Sequence, residues 1–331
     1  MKITIIGTGA YGTALANVLA DNNHDVVMYG VDKNQVNDIN IKHKNTIFFN
    51  DILINNKIKA TSDMPAALEN TEVLIIGVPS FAIKSVIEDI KKYAKNEMVF
   101  INTTKGLDES NLDLLSKHIV SELKDSGIMK AFLGLYGPSI AIEVLERKPT
   151  ALMLVGDDLE VANTYCGLFN NEYFSVYPSN DLAGSEIGAA LKNTIAIAAG
   201  IFYEFGAGDN AQASLITAGL NEMINISKVY GASVNTFLNF AGLGDLILTA
   251  SSQQSRNFRL GREIAKQGSA KKAMEVFKLT VEGVKSAEIA YKICEKFEIN
   301  APLFSNMYEI LYNDIRPITL LNNVLKGVKL V

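Results

Sequence analysis

The stretch Lys2-Ile-Thr-Ile-Ile6-Gly7-Thr-Gly9-Ala-Tyr-Gly12 opens the chain and decides the fold of its first half. A β-branched apolar run predicts a strand, and a GxGxxG pattern with a helical stretch behind it follows at once. Gly7 permits a tight turn, Gly9 lets the backbone approach a diphosphate, and Gly12 lets the helix pack closely on the strand. The amides at the start of that helix would bind the diphosphate. The stretch therefore predicts a nucleotide-binding unit.

Strands and helices alternate through the first half of the chain, which is typical of a parallel sheet flanked by helices. Predicted strands cover residues 2–6, 25–29, 73–77, 98–102, 130–133, 151–155 and 173–177. Predicted helices cover residues 13–21, 81–93, 111–121 and 159–169. We expect an α/β fold with a Rossmann-type, mostly parallel sheet over residues 1–180, with ligands at the carboxyl ends of its strands.

After about residue 180 the alternation stops and helical periodicity continues to the end of the chain. Helices are predicted at residues 184–205, 211–230, 234–240, 256–266, 270–278, 281–297 and 302–312. The apolar run 187–202 is shorter than the roughly 20 residues that span a bilayer, and it contains Lys192 and Asn193. We therefore expect a buried helix within an all-α domain of residues 181–331.

Lys192 lies inside that apolar run, where an ammonium costs free energy unless an anionic or polar group pairs with it. A lysine whose pKa is lowered by burial and by its neighbours can act as a general acid and base. We interpret Lys192 as the centre of a dehydrogenase site.

The composition limits the classes of function. With 331 residues, of which 48% are hydrophobic, the chain is long enough for about two domains with sizeable cores. A net charge of −5 argues against nucleic-acid and membrane-surface partners, so an anionic substrate needs a local basic pocket. The strand-like first residues predict no secretory signal, and we expect a cytoplasmic protein. The sequence leaves the oligomeric state open, a homodimer included.

Cysteine and histidine give no metal or redox motif. The two cysteines, Cys166 and Cys294, have no CxxC spacing, so we expect two buried thiols and neither a zinc site nor a disulfide. The three histidines, His24, His43 and His118, lie outside every motif, which disfavours both a histidine acid/base and a metal site. Lysine is left as the natural proton carrier.

Several loops after predicted strands carry candidate binding residues. Asp32 lies about 20 residues past Gly12, where an acid typically binds the adenosine ribose; no arginine follows it, although Lys33 does. This favours NAD over NADP, although Asp32 is also suited to cap a helix. Pro79 and Lys105 follow two further strands, where Lys105 can contact both a cofactor and an anionic substrate, with an ordinary surface lysine as the alternative.

Other candidates lie in turns and in the helical domain. Gly137-Pro138-Ser139 offers backbone amides and a hydroxyl, or forms a plain turn. Asp245 and Thr249 are one helical turn apart, and Ser255-Arg256-Asn257 opens a helix. The Ser255-Arg256-Asn257 segment predicts a phosphate clamp. The alternatives are an ordinary helix cap at Ser255 and a solvated surface charge at Arg256.

Together these motifs resemble the NAD(P)-dependent glycerol-3-phosphate dehydrogenases of the bacterial soluble type. The resembling stretches run in order along nearly the whole chain: 7–16, 78–80, 104–107, 137–139, 188–193, 206–210, 242–245, 254–257 and 281–283. The resemblance implies interconversion of sn-glycerol 3-phosphate and dihydroxyacetone phosphate by hydride transfer with NAD or NADP. It also implies a supply of glycerol 3-phosphate for glycerophospholipid synthesis.

The resemblance implies a role for each matching residue. Lys192 would be the proton carrier at the C2 oxygen, Lys105 would contact cofactor and substrate, and Asp245 would complete the catalytic group. The implied substrate contacts are Lys105, Gly137, Ser139, Lys192, Asp245, Thr249, Ser255, Arg256, with the phosphate on Arg256, and Asn257. The implied cofactor contacts are Gly7, Gly9, Ala10, Tyr11, Gly12, Val31, Asp32, Pro79, Lys105, Ala141, Arg256, Asn257 and Glu282.

Two positions depart from the family pattern. Tyr136 stands where a small residue is usual and is expected to narrow the substrate pocket or change its approach. Val31 stands where many relatives carry a basic or polar residue, which leaves the choice between NAD and NADP open.

Two alternative functions remain to be distinguished. A 3-hydroxyacyl-CoA or 6-phosphogluconate type of dehydrogenase also has a helical second domain, but the acyl-CoA type needs a histidine-centred site. A nucleotide-binding module without enzyme activity is the second alternative, and the intact set of Lys105, Lys192, Asp245 and Arg256 argues against it.

Overall fold

The structure is a computed structural model that describes residues 1–109, 111–277 and 281–323. The chain forms two compact units. Unit 1 comprises Met1–Thr104 and Leu115–Leu182, and unit 2 comprises Lys105–Leu114 and Ala183–Val331. Residue 278 of the predicted helix 270–278, and the predicted helical continuation over 324–331, lie outside the described residues.

Unit 1 is built on an eight-stranded sheet with the order β10-β9-β8-β5-β4-β1-β2-β3. The strands of the chain are β1 Lys2–Ile6, β2 Asp25–Tyr29, β3 Lys59–Thr61, β4 Val73–Ile76, β5 Met98–Asn102, β6 Leu107–Asp108, β7 Asp113–Leu114, β8 Met129–Tyr136, β9 Thr150–Val155 and β10 Phe174–Ser179. Neighbours in the large sheet pair in parallel except β8 with β9. The predicted mostly parallel sheet is therefore confirmed, with β3 as an additional short edge strand.

The helices of unit 1 cover both faces of its sheet. They are α1 Ala10–Asp21, α2 Lys33–Asn37, α3 Thr46–Phe49, α4 Met64–Leu68, α5 Ile83–Tyr93, α6 Leu115–Leu123, α7 Ala141–Leu145 and α8 Leu159–Cys166. Alternate residues of β1 divide between two cores: Ile3 and Ile5 pack on one face and Ile6 on the other. A buried parallel strand has apolar residues on both faces, which explains the continuous apolar runs that identified these strands.

The predicted helix 111–121 is wrong at its start. Asp113–Leu114 pairs with Leu107–Asp108 as a short antiparallel ribbon, and the helix begins at Leu115. Leu107 and Leu114 both pack in the core of unit 2, so the ribbon belongs to that unit. Lys105, at the start of the ribbon segment, is grouped with unit 2 as well.

The regular elements of unit 2 are helices apart from that ribbon, over the residues of the unit that the structure describes. Its helices are α9 Leu182–Glu204, α10 Asp209–Ser227, α11 Asp245–Ser251, α12 Arg256–Gln267, α13 Ala270–Val276, α14 Glu282–Phe297, α15 Pro302–Tyr312 and α16 Thr319–Asn323. The predicted helix 234–240 is wrong in type, because Val234–Leu238 forms a tighter 3-10 turn that begins at a Ser233 cap.

Helix α9 is the central element of unit 2. Residues 184–202 are all buried, which confirms the buried helix predicted from the apolar run. Across residues 1–109, 111–277 and 281–323, we find no helix long and apolar enough to cross a membrane. A Cβ at Gly261 of α12 would lie 1.9 Å from the carbonyl oxygen of Ile197, so glycine lets α12 approach α9 closely. This contact brings the first turn of α12 beside the middle of α9.

A buried carboxyl group ties two helices of unit 2 together. Glu222 of α10 is 5% exposed, and its oxygens accept hydrogen bonds from the amides of Leu303 (2.8 Å) and Phe304 (3.1 Å) at the start of α15. Burial raises the pKa of Glu222 from 4.5 to about 7, against the opposing effect of those two amides. The folded protein therefore keeps this proton in a pH range in which the unfolded chain has lost it.

We expect Glu222 to make the free energy of unfolding fall as pH rises from 4.5 to 7, because only the unfolded state releases the proton early in that range. The contribution is about 3 kcal/mol over the range. Glu222→Gln removes it, so urea unfolding of the variant at the two ends of the range should show a flatter dependence. Glu275→Gln, at an exposed position of α13, is the control. Equal slopes in wild type and Glu222→Gln would contradict the expectation.

Candidate functional site

The glycine-rich turn of unit 1 has the geometry that a diphosphate needs. Gly7 has a φ of +119°, and a Cβ there would lie 2.6 Å from the carbonyl oxygen of Gly77. A Cβ at Gly12 would lie 2.6 Å from the carbonyl oxygen of Gly7, so α1 packs directly on the turn. Gly9 precedes the first residue of α1, and among the described residues no atom outside residues 8–10 lies within 4 Å of the position of its missing Cβ. The space beside Gly9 is thus available to a ligand at the helix N-terminus, where Ala10 and Tyr11 are the first two residues of α1.

Asp32 caps helix α2, as the alternative interpretation of the sequence proposed. Its Oδ1 accepts a hydrogen bond of 2.8 Å from the amide of Asn34. Capping occupies one carboxylate oxygen and leaves the other for a ribose hydroxyl, so capping and ribose binding are compatible. Val31 is 83% exposed beside it, as a side chain in contact with a ligand surface would be.

Two further loops of unit 1 hold predicted binding residues, after the carboxyl ends of β4 and β8. Gly137 has a φ of +144°, and a Cβ there would lie 2.7 Å from Leu152 Cδ2. The Ser139 hydroxyl donates to the carbonyl oxygen of Gly137 (3.3 Å), and Ala141 begins α7. Pro79 is exposed at the end of β4. Because the carboxyl ends of parallel strands form the ligand edge of such sheets, these residues are suitably placed in unit 1.

The Tyr136 side chain packs into the core of unit 1. The residue is 1% exposed, and its hydroxyl accepts a hydrogen bond of 3.1 Å from Asn102 Nδ2. A Cβ at Gly134 would lie 2.4 Å from the Tyr136 ring, so the ring lies over Gly134. Gly134 leaves room for the ring to lie along the sheet, and the expectation that Tyr136 narrows the substrate pocket or changes its approach stays a prediction.

Unit 2 brings together Lys192 and three other predicted catalytic and substrate residues, Asp245, Thr249 and Lys105. Its ammonium forms an ion pair with Asp245 Oδ1 and donates a hydrogen bond of 2.8 Å to Thr249 Oγ1. Lys105 Nζ lies 3.5 Å from the other carboxylate oxygen of Asp245. The side chains of Lys192 and Asp245 are 3% and 2% exposed, whereas that of Lys105 is 23% exposed. The cost of burying Lys192 is thus offset by a carboxylate and a hydroxyl on the adjacent helix α11.

Burial lowers the pKa of Lys192 from 10.5 to about 7. The attraction of Asp245 opposes that effect, and the positive charge of Lys105 adds to it. A lysine that titrates near neutral pH exists in both charge states under ordinary conditions. Lys192 can therefore accept a proton in one direction of a reaction and donate it in the other.

We expect Asp245→Asn to move the pH dependence of activity to lower pH. The variant removes the negative charge that holds the Lys192 proton, so the pKa of Lys192 falls further, by about one unit or more. The measurement is kcat/KM for reduction of a ketone substrate as a function of pH.

Glu204→Gln is the matched control. Glu204 is a carboxylate of α9, the helix that carries Lys192, but it pairs with Arg262 at 2.8 Å instead of with Lys192. The control should keep the wild-type profile. An Asp245→Asn profile that coincides with wild type, or moves to higher pH, would refute the electrostatic role of Asp245.

A second hydrogen-bonded group lies one residue along α9. Asn257 Nδ2 donates to Asn193 Oδ1 (3.0 Å), and Asn257 Oδ1 accepts from the amide of Gly283 (2.9 Å). Asn193 Nδ2 in turn donates to Glu282 Oε2 at 3.4 Å. A Cβ at Gly283 would lie 2.6 Å from both Asn193 O and Asn257 Oδ1, so the start of α14 packs against α9 and α12. Asn257 thus joins Asn193 of α9 to the start of α14, and Asn193 contacts Glu282 there.

Arg256 is exposed at the first position of α12. Ser255 precedes it as the helix cap, and its hydroxyl accepts from the amide of Phe258 at 3.3 Å. The cap predicted for Ser255 is therefore present. Within the part of the chain that the structure describes, Arg256 has no ion-pair partner. An exposed guanidinium beside a helix N-terminus suits a phosphate group.

Sequence reasoning missed Asn193 as a site residue, although it stands next to Lys192. Its signal was the same as that of Lys192, a polar side chain inside an apolar helix. The two cysteines are free and buried, as predicted. Among the described residues, no three His, Cys, Asp or Glu side chains are grouped so that they could hold a metal ion.

Known proteins match both halves of the chain. The family model described as NAD-dependent glycerol-3-phosphate dehydrogenase N-terminus matches residues 2–162, and the model of the C-terminus of the same family matches residues 181–322. A curated glycerol-3-phosphate dehydrogenase (NAD(P)+) of Mesoplasma florum is 59% identical over 100% of this chain and 99% of the relative. That of Macrococcus caseolyticus is 38% identical over 95% of each chain.

Solved structures agree with these sequence matches. A glycerol-3-phosphate dehydrogenase from Coxiella burnetii has a TM-score of 0.89 and 32% identity, covering 97% of each chain. The enzyme of the same name from Plasmodium falciparum has a TM-score of 0.89 and 25% identity, covering 100% of this chain and 96% of that one. With both domain models matched in order and full-length relatives well above 30% identity, this chain belongs to the NAD(P)-dependent glycerol-3-phosphate dehydrogenase family.

Proposed function

We propose that this chain interconverts sn-glycerol 3-phosphate and dihydroxyacetone phosphate by hydride transfer with NAD(P), and that it supplies glycerol 3-phosphate for glycerophospholipid synthesis. The observation that carries the proposal is the buried Lys192 amine paired with Asp245 and Thr249. The family of the chain and its curated relatives support the same activity.

Lys192 supplies the proton chemistry. Loss of a hydride from C2 of the alcohol requires its hydroxyl proton to leave, and the amine of Lys192 accepts it. In the reverse direction the ammonium donates a proton to the ketone oxygen, where negative charge develops. Asp245 and Thr249 fix the position of the amine by two of its contacts. A third hydrogen-bonding direction of the nitrogen then remains for the substrate oxygen.

Arg256 and the N-terminus of α12 provide the site for the substrate phosphate. Lys105 adds a second positive charge close to the catalytic carboxylate. Binding energy at the phosphate, which does not react, is used to orient C2.

The glycine-rich turn fits a dinucleotide diphosphate, because side chains at Gly7 and Gly12 would fill space that the turn needs. When bound, the nicotinamide of the dinucleotide would accept or supply the hydride. Unit 1 holds the dinucleotide with Gly7, Gly9, Gly12 and the first amides of α1.

We infer a preference for NAD over NADP from the residues after β2. The Asp32 carboxylate would attract a ribose hydroxyl and repel a 2′-phosphate. Val31 offers that phosphate no charge. Lys33 stands beside Asp32 as the one basic side chain of residues 31–33 and only partly offsets the repulsion.

The testing experiment follows the absorbance of reduced nicotinamide in the presence of purified protein. The proposal expects oxidation of NADH with dihydroxyacetone phosphate, little with acetoacetyl-CoA or 6-phosphogluconate-derived ketones, and a lower KM for NADH than for NADPH. Turnover of acetoacetyl-CoA alone would favour the acyl-CoA alternative. Binding of NADH without turnover of any of these substrates would favour a nucleotide-binding module. The cytoplasmic location and a homodimer stay predictions.

A further inference from the structure

Asn45 lies behind the glycine-rich turn, outside every motif that the sequence offered. It is 0% exposed and stands at the start of α3. Its side-chain amide donates to the carbonyl oxygen of Thr8 (2.8 Å) and to the hydroxyl oxygen of Thr13 (2.9 Å). Thr8 lies between the first two glycines of the motif, so the contact is made to the turn itself.

Thr13 extends this chain of hydrogen bonds to the next peptide. Its hydroxyl accepts from Asn45 and donates to the carbonyl oxygen of Gly9 at 2.9 Å. Asn45 therefore acts on both carbonyl groups of the Thr8-Gly9 segment, one directly and one through Thr13. Hydrogen bonds in such a chain strengthen one another.

Because the peptide bond is planar, these contacts to carbonyl groups also determine where the neighbouring amides point. In a trans peptide the C=O and the following N–H point in opposite directions. Holding Thr8 O toward Asn45 turns the amide of Gly9 away from it, and holding Gly9 O does the same for the amide of Ala10. The space at Gly9 is open, because no described atom outside residues 8–10 lies within 4 Å of the position that a Cβ would take there. The donors are thus directed outward, and the two carbonyl oxygens are kept away from an anion.

The side-chain amide of Asn45 is oriented so that its NH2 group makes two hydrogen bonds, whereas its oxygen is left without one among the described residues. In the part of the chain that the structure describes, its buried Oδ1 has no hydrogen-bond partner. A buried acceptor without a partner costs free energy, so the arrangement is poor for stability alone. Such local violations are expected at functional positions.

Asn45 is itself held firmly. Its carbonyl oxygen accepts from the amides of Phe48 (3.1 Å) and Phe49 (3.0 Å), the last two residues of α3. The next residue, Thr46, bonds through its hydroxyl and its amide to Asp38. Asp38 also pairs with Lys42 at 2.6 Å. The donor group is therefore presented to the turn in a fixed position.

We propose that Asn45 is a positioning residue for the cofactor, which orients the amides of Gly9 and Ala10 toward the dinucleotide diphosphate through Thr8 and Thr13. This inference rests on the proposed function, because it assigns a role in binding the same NAD(P). Asn45 acts through Thr8 and Thr13 and does not itself contact the ligand in this proposal.

The test compares NADH binding and steady-state kinetics of wild type, Asn45→Ala and Thr13→Val. We expect the Kd and the KM for NADH to rise by about tenfold or more in Asn45→Ala. Thr13→Val removes the hydroxyl that links Asn45 to Gly9 and leaves the direct contact of Asn45 with Thr8, so a smaller rise in the same direction is expected. In both variants kcat at saturating NADH and the KM for dihydroxyacetone phosphate should stay within about twofold of wild type, because the groups around Lys192 are untouched.

Asn17→Ala is the matched control. Asn17 is also 0% exposed in unit 1, and its side chain also makes two hydrogen bonds, to Asp21 and to the amide of Asn55. It lies in α1, five residues past Gly12 and eight past Gly9. The control should lower thermal stability with little change in the Kd for NADH.

Three results would overturn the proposal: an unchanged Kd in Asn45→Ala, equal weakening in Asn45→Ala and Asn17→Ala, or an unchanged Kd in Thr13→Val. The third result decides alone if Asn45→Ala does not fold. Failure of the proposed function is distinguishable, because wild type itself would then not turn over dihydroxyacetone phosphate, whether or not it binds NADH.

Discussion

Lys192→Ala is expected to lower kcat for dihydroxyacetone phosphate reduction by about 100-fold to 10,000-fold, the usual contribution of a general acid. The buried ammonium is the group suited to donate the proton, and Asp245 and Lys105 remain in place without it. The Kd for NADH should change little, because the glycine-rich turn belongs to unit 1. Steady-state kinetics and NADH binding on the same preparation measure both effects.

Added primary amines separate a chemical role of Lys192 from a structural one. Truncation to alanine leaves space for methylamine or ethylamine beside Asp245, and either amine should restore part of the activity of Lys192→Ala. Lys266→Ala is the control, since Lys266 is a half-exposed lysine of α12 whose nearest carboxylate oxygen, on Glu204, is 3.9 Å away. Turnover of Lys192→Ala at the wild-type rate would refute the assignment.

Arg256→Ala has the second largest expected effect. We expect the KM for dihydroxyacetone phosphate to rise by about 30-fold or more, because charge-assisted hydrogen bonds to the phosphate are lost. The value of kcat should fall as well, since phosphate binding orients C2 for the reaction. Initial rates over a wide range of substrate concentration give both constants.

Unphosphorylated dihydroxyacetone provides an internal control for Arg256. Wild type and Arg256→Ala should reduce it at similar, slow rates, because neither can use a phosphate contact. Arg259→Ala, three residues along the same helix and over the Phe277 ring, should keep the wild-type KM. Equal turnover of low dihydroxyacetone phosphate by wild type and Arg256→Ala would overturn the phosphate role.

The fold was predictable where local sequence determines it. The turn at Gly7, Gly9 and Gly12 follows from backbone sterics, and the strand and helix on either side follow from apolar periodicity. Prediction failed where strand pairing and packing in the core of unit 2 decided the structure. Asp113–Leu114 was expected to be helical, but pairing with Leu107–Asp108 made it extended.

The candidate site was likewise predictable only where the local sequence determines it. An ammonium in the middle of an apolar helix requires a partner, which a reader of the sequence can infer for Lys192. Its identity as Asp245, 53 residues away, depends on helix packing and was reached only through the family resemblance. Asn45 gave no local signal, because an asparagine before a short helix is ordinary and its contacts to Thr8 and Thr13 are long-range. The position of the Tyr136 ring likewise depends on the missing side chain of Gly134 in the same strand.

The pH dependence of kcat/KM for dihydroxyacetone phosphate tests the central claim most directly, since this constant reports ionisations of the free enzyme and of the free substrate. Because the pKa of Lys192 is lowered to about 7, its protonated form is lost above that pH. We predict that kcat/KM for reduction falls about tenfold per pH unit above neutrality, while that for oxidation of glycerol 3-phosphate rises toward a plateau. Values of kcat/KM for both directions that stay constant from about pH 6 to about pH 9 would contradict the account.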